Sequence, residues 1–199
     1  MTHRNKMIAA LNLASVLGIA SFGQLHAESF GTYVANGIFW SSVGAVGQVD
    51  STSAAIARTS KAMITMGAPG TLVIRYSVPP SAELATATGA LHLMANLVDP
   101  GVGASVDVSL LEVPMDDPGV SVASPSARSI VHLTSPDADG LTGFTTRCVA
   151  GPAQTTFSGF AFAKNVYYIQ AVLSWDGLQP RAPALRALKI GISGNDLCK

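Results

Sequence analysis

A chain of 199 residues with 12 basic and 12 acidic side chains, and only 12% charged positions in all, has no positive surplus with which to neutralise phosphates or attract anionic lipid. This excludes nucleic acid as a main partner and gives no polybasic membrane anchor. The length suits one domain with a sizeable core.

The N-terminus reads as a targeting segment. Arg4 and Lys6 supply a positive start, Met7 to Phe22 an apolar stretch, and Gln24 to Ala27 a small-residue cleavage point, which together predict a cleavable secretory signal peptide over residues 1–27. Asn12 and the many Ser, Ala and Gly residues make this stretch weak as a span of about 20 apolar residues. No cysteine follows it directly, so a lipid anchor is not expected. The expected product is an exported protein, periplasmic or secreted, with a single domain over residues 28–199 and no membrane span.

In the mature part, Thr32 to Val34 and Gly37 to Trp40 are short strand candidates around a turn at Ala35 to Gly37. Ser51 to Met66 reads as a polar loop leading into a strand at Ala62 to Met66, because its Ser and Thr content disfavours a helix. Thr71 to Val78 alternates cleanly, with Leu72, Ile74, Tyr76 and Val78 on one face. After Pro79 and Pro80, Ser81 to Ala87 forms a polar connection. Gly89 to Val98 places Leu91, Leu93 and Leu97 inward and His92, Met94 and Asn96 outward. Across the turn Asp99, Pro100 and Gly101, the stretch Ala104 to Val113 sets Val106, Val108, Leu110 and Glu112 against Ser105, Asp107 and Ser109. These two stretches are expected to form a hairpin.

Arg128 to Thr134 and Thr142 to Val149 are further strands. Then comes FAFAKNVYYIQAVLSWDGLQPRAPALRALKIGIS, from Phe160 to Ser193. Its first half alternates Tyr167, Ile169, Ala171, Leu173 and Trp175 with Val166, Tyr168, Gln170, Val172 and Ser174, the period of a pleated strand. Pro180 and Pro183 interrupt pairing, and from Ala184 onward Leu188, Ile190 and Ile192 share a face. A crossover from one sheet to another fits this loop better than a hairpin. Some eight to ten short strands without a long amphipathic helix predict an all-β fold: an antiparallel β-sandwich of jelly-roll type, with a closed barrel second.

The block GFAFAKNVYYIQAVLSW followed by PALRALKIGIS resembles the closing strands of uncharacterised exported bacterial β-sandwich proteins. The resemblance covers the last quarter of the chain and implies a shared fold without an activity. Cys148 and Cys198 are an even pair in a chain expected to be exported and so predict a disulfide, whose closure would stabilise the fold by about 4 kcal/mol in the loop-entropy description. Their spacing matches no CxxC or zinc pattern, so no cofactor or metal is expected.

Catalytic signals are thin. Glu112 could be a cleft carboxylate, but a Glu at the end of a buried strand face more often marks the solvent rim. Only His92 and His132 remain after the signal, and no nucleophile elbow accompanies them. Asp137 to Gly140 and the pair Asp116 and Asp117 could tie calcium, yet they lack the rest of an EF-hand and serve equally as turns. The outward residues Arg75, His92, Asn96, Asp107, Tyr168 and Gln170 are the candidate binding set, provided their strands are neighbours. The expected function is non-enzymatic binding of a glycan or surface protein. The alternatives are a polysaccharide or ester hydrolase using Glu112 or His92, and a structural or assembly subunit of the cell envelope.

Overall fold

The computed structural model describes residues 37–115, 127–135, 140, 143–151 and 157–198. In chain order the strands are β1 (Ile38–Val43), β2 (Gln48–Val49), β3 (Ala57–Ser60), β4 (Met63–Met66) and β5 (Gly70–Val78). A one-turn helix, α1 (Ala82–Thr86), precedes β6 (Ala90–Val98), β7 (Ala104–Pro114), β8 (Arg128–Thr134), β9 (Thr145–Ala150), β10 (Asn165–Trp175) and β11 (Ala184–Ser193). The signal segment and the acidic turns at Asp116, Asp117 and Asp137 to Asp139 lie outside the described residues.

These strands form two antiparallel sheets. One runs β3-β4-β11-β6-β9, with β1 also on β11; the other runs β2-β5-β10-β7-β8. Successive strands β4 and β5, β6 and β7, and β10 and β11 fall in opposite sheets, which is the wrapped path of a jelly roll. The fold expected from alternation is therefore the fold observed. The expected hairpin of the sixth and seventh strands is not. β6 and β7 belong to different sheets, because the turn at Asp99 carries the chain across the sandwich instead of folding it back within one sheet. Asp99 is fully buried there; it accepts from the Gly101 amide at 3.0 Å and from the Ser135 hydroxyl, whose oxygen in turn accepts from the Val106 amide at 2.8 Å. That network ties the crossing to the end of β8.

The connection at Ser81 to Ala87 is partly helical: Ser81 caps α1 by accepting from the Leu84 amide at 3.1 Å, as a helix start requires. The polar stretch before β4 holds a further strand, β3, paired with it. The crossover expected after Trp175 is present, since β10 and β11 lie in opposite sheets.

The core is made by the inward faces of the long strands. Leu72, Ile74, Val106, Val108, Leu110, Ile169 and Leu173 from one sheet meet Leu93, Leu97, Leu185, Leu188 and Ile190 from the other, each with no accessible surface. Burying side chains of this size contributes about 1.5–3 kcal/mol apiece. One end is closed by rings: Phe160 meets Tyr167 edge-on at 4.7 Å and Phe157 at 4.9 Å between centroids. Among the described residues no helix is long and apolar enough to cross a membrane.

Candidate functional site

The two outer faces of the sandwich differ, and the difference separates the residues singled out in the sequence. On the six-stranded sheet part of the outer face is covered. The chain after β11 folds back across it, Cys198 is bonded to Cys148 of β9, and Leu197 is buried. Gly191 makes room for this: a Cβ there would lie 2.6 Å from Leu197 Cδ1 and 2.9 Å from Phe39 Cε1.

His92, the register partner of Gly191, is consequently 1% exposed instead of solvated. Its Nε2 accepts from the Leu197 amide at 3.3 Å. The expectation of an accessible His92 is thus corrected, because the folded-back tail occupies the space above it. Asn96, four residues further along β6, donates to Thr146 Oγ1 at 3.1 Å. Neither residue reaches the sheet that carries Asp107, Tyr168 and Gln170.

The outer face of the five-stranded sheet is open and polar. Register pairs Gln48 with Arg75, Arg75 with Gln170, Gln170 with Ser109, and Ser109 with His132, so one straight row crosses all five strands. At the usual strand separation four such steps span about 19 Å. Beside the row, Tyr168 lies between Ser77 and Leu111; on its other side Val73, Val172, Asp107 and Thr134 form a parallel line. Of the sequence candidates, Arg75, Asp107, Tyr168 and Gln170 are therefore on one face, while His92 and Asn96 are on the opposite side of the molecule.

Two hydrogen-bonded groups hold the ends of this row. Arg75 Nη1 pairs with Asp50 Oδ2 at 2.9 Å, and that bond, helped by the Thr52 amide and hydroxyl, lowers the Asp50 carboxyl to a pKa of about 2. At the other end Ser109 Oγ lies 2.8 Å from His132 Nδ1, Thr134 Oγ1 lies 2.6 Å from His132 Nε2, and Thr134 donates to Asp107 Oδ1 at 2.8 Å. The carboxylate can only accept, so the Thr134 proton points to Asp107 and a neutral His132 donates from Nε2 to Thr134. His132 Nδ1 then accepts from Ser109. The four side chains thus form one directed chain, from Ser109 through His132 and Thr134 to Asp107.

No local pattern announces this group, although Ser109 and Asp107 share an expected face. Its signal is the pairing of β7 with β8, which residue alternation does not contain. A Ser–His–acid order suggests a nucleophile. Here, however, Ser109 sits in mid-strand between β10 and β8, where the backbone N–H groups are committed to the two ladders and none is aimed at a developing oxyanion.

Glu112 is likewise engaged. Both Nε and Nη2 of Arg128 donate to its Oε2 at 3.1 and 2.6 Å, while Asn165 Nδ2 and the Tyr167 hydroxyl donate to Oε1 at 2.5 and 3.0 Å. Its lone pairs are occupied at the end of the sandwich, the rim position that the sequence favours. Burial raises the Tyr167 hydroxyl above its ordinary pKa, which keeps it a donor to Glu112.

No family model and no curated protein matches the chain. Among solved structures, a family 11 carbohydrate-binding module from Clostridium thermocellum, in complex with a β-1,3-1,4-mixed-linked tetrasaccharide, aligns at 13% identity with a TM-score of 0.33, over 83% of this chain and 92% of that one. The top component of cowpea mosaic virus aligns at 14% identity and TM-score 0.31, over 86% and 95%. An infectious bursal disease virus structure, Gx strain, aligns at 14% and 0.33, over 81% of this chain but only 33% of that one, so this chain spans about a third of that protein's length. At such values the chain shares with them at most a general architecture.

Proposed function

We propose that the protein is an exported, non-enzymatic binding module that takes a neutral glycan along the open face of its five-stranded sheet. The observation that carries this reading is the single polar row Gln48, Arg75, Gln170, Ser109 and His132, with Tyr168 beside it. A sugar chain presents closely spaced hydroxyls that each donate and accept, and it needs a row of the same mixed character. Gln170 offers both an amide donor and a carbonyl acceptor, Ser109 offers lone pairs, and Arg75 offers donors. Tyr168 adds a ring against which an apolar sugar face can rest.

Charge supports a neutral ligand over an anionic one. Arg75 is matched by Asp50 and His132 stands 3.7 Å from Asp107, so the row carries no unbalanced cation. Its span of about 19 Å suits a short oligosaccharide.

The test is a glycan array probed with the purified protein, followed by calorimetry on the strongest neutral glycan. Tyr168→Ala and Gln170→Ala should each weaken binding about tenfold, equivalent to about 1.4 kcal/mol. Asn96→Ala, on the opposite face, should bind as the parent does. Absence of any glycan signal above background, or equal binding by all three variants, would remove the proposal.

A further inference from the structure

We propose that reduction of the Cys148–Cys198 bond opens a site of two thiolates, one imidazole and one carboxylate for a zinc-class divalent cation on the outer face of the six-stranded sheet. His92 and Cys148 project outward from adjacent strands: His92 pairs with Ala150, and Cys148 with Met94, two residues along β6 from His92. From above, the folded-back tail brings Asp196 and Cys198 onto the same spot. His92 Nε2 is 3.6 Å from Asp196 Oδ1, and the ligand atoms of His92, Asp196 and Cys198 all lie within 4.8 Å of one another. Cys148 is outside that close group while oxidised; bonded to Cys198, its sulfur would have to turn toward the group once reduction frees it to complete the set.

Leu197 N–H donates to His92 Nε2, so this nitrogen is an acceptor in the closed tail, 3.6 Å from Asp196 Oδ1, and a metal would take its lone pair in place of the Leu197 amide once the tail lifts. The other nitrogen, Nδ1, is buried with no hydrogen-bond partner among the described residues, which is rare for a polar atom inside a protein. Zinc accepts such a mixed sulfur, nitrogen and oxygen set in a tetrahedron, at about 2.3 Å to sulfur and about 2.0–2.2 Å to nitrogen and oxygen. Asp196 is exposed and Cys198 partly so, which lets reductant and metal reach the cluster from the tail side.

The chemistry is a two-electron exchange followed by ligation. A dithiol is oxidised to its disulfide; its two electrons and two protons go to the sulfurs as the Cys148–Cys198 bond breaks into two thiols. The divalent cation then displaces both thiol protons to solvent. The cysteine spacing matches no zinc pattern because the set is assembled across the fold: Asp196 stands beside Cys198 in the tail, but His92 and Cys148 come from β6 and β9.

Cobalt(II) titration tests the site directly, because a cobalt thiolate has a charge-transfer absorption that a disulfide cannot give. The reductant would be a phosphine, which ends as its oxide with oxygen taken from water. The oxidised protein should show no thiolate band, and the reduced protein one equivalent that zinc displaces. Cys148→Ser or Cys198→Ser should lose the two-thiolate band, and Asp196→Asn and His92→Gln should weaken cobalt binding about tenfold or more. Circular dichroism recorded in the same titration covers the case of a reduced chain that loosens: the metal should then restore the strand signal. The proposal is overturned if the reduced protein gives no band, if Asp196→Asn and His92→Gln bind as the parent does, or if cobalt binds with no return of strand signal to a loosened chain.

Discussion

Arg75 takes part in two interactions at once, an ion pair with Asp50 and a place beside Gln170 in the polar row. The Arg75 guanidinium holds the Asp50 carboxyl near a pKa of 2 against an ordinary value of 3.8. A carboxyl depressed in the folded state stabilises the fold above its unfolded value and loses that contribution as pH falls through the folded value. Asp50→Asn should therefore be less stable than the parent near neutral pH, and the difference should vanish between about pH 4 and pH 2. Urea midpoints at the two ends of that range would show it, and a gap that does not change with pH would refute the assignment. The outer face of the five-stranded sheet is half legible at this scale. Alternation puts Asp107, Tyr168 and Gln170 on outward faces, but an outward face is not always a wet one. His92 has the same strand parity as Asn96 and yet is sealed by Leu197, a contact made across more than a hundred residues that no local pattern encodes.

Elements are readable wherever a strand has one buried face. In β10 Tyr167, Ile169, Ala171 and Leu173 are buried as the period requires, while Trp175, expected in the same core set, is only partly buried at the strand's end; in β5 Leu72, Ile74, Tyr76 and Val78 are all buried. Partners are not readable, since a strand crossing to the other sheet and one turning back in a hairpin have the same alternation. This is why β6 and β7 show the expected faces without the expected pairing. Irregular joints escape as well. β11 pairs first with β4 and then with β1 along the same edge, and its pairing with β6 shifts register between Leu185 and Ala187. Gly44 fits against this joint: a Cβ there would overlap the Leu185 carbonyl oxygen and stand 2.8 Å from its carbon, and the Gly44 carbonyl accepts from the buried Tyr76 hydroxyl at 2.8 Å. Backbone cannot give way as a side-chain tip can. Gly44→Ala should cost about 1–3 kcal/mol by overpacking, read as a lower urea midpoint with unchanged slope, and a midpoint equal to the parent's would show that the joint is softer than its geometry implies.

At the scale of the whole molecule the two outer faces differ. One carries a polar row that no described segment covers; the other is partly covered, around His92 and Gly191, by the chain's own tail, which is locked by a bond across 50 positions. Removing that bond should cost about 4 kcal/mol through the added freedom of the unfolded chain. Domains of this kind are stable by about 5–15 kcal/mol, and the inward faces of β5, β7 and β10 make no use of the tail. The Cys148→Ser/Cys198→Ser double variant should therefore remain a folded sandwich with a lowered denaturation midpoint. Amide exchange should quicken first at Leu197 and Cys198, then along β9 and the β6 rung that carries His92, while the amides of Ile169, Ala171 and Leu173 keep their protection relative to global unfolding. If the double variant instead lost protection evenly across both sheets, the tail would be a structural member of the core. A cover that can lift without dissolving the sandwich is also the condition under which reduction can free His92 and the two thiols while the polar row on the far sheet stays intact.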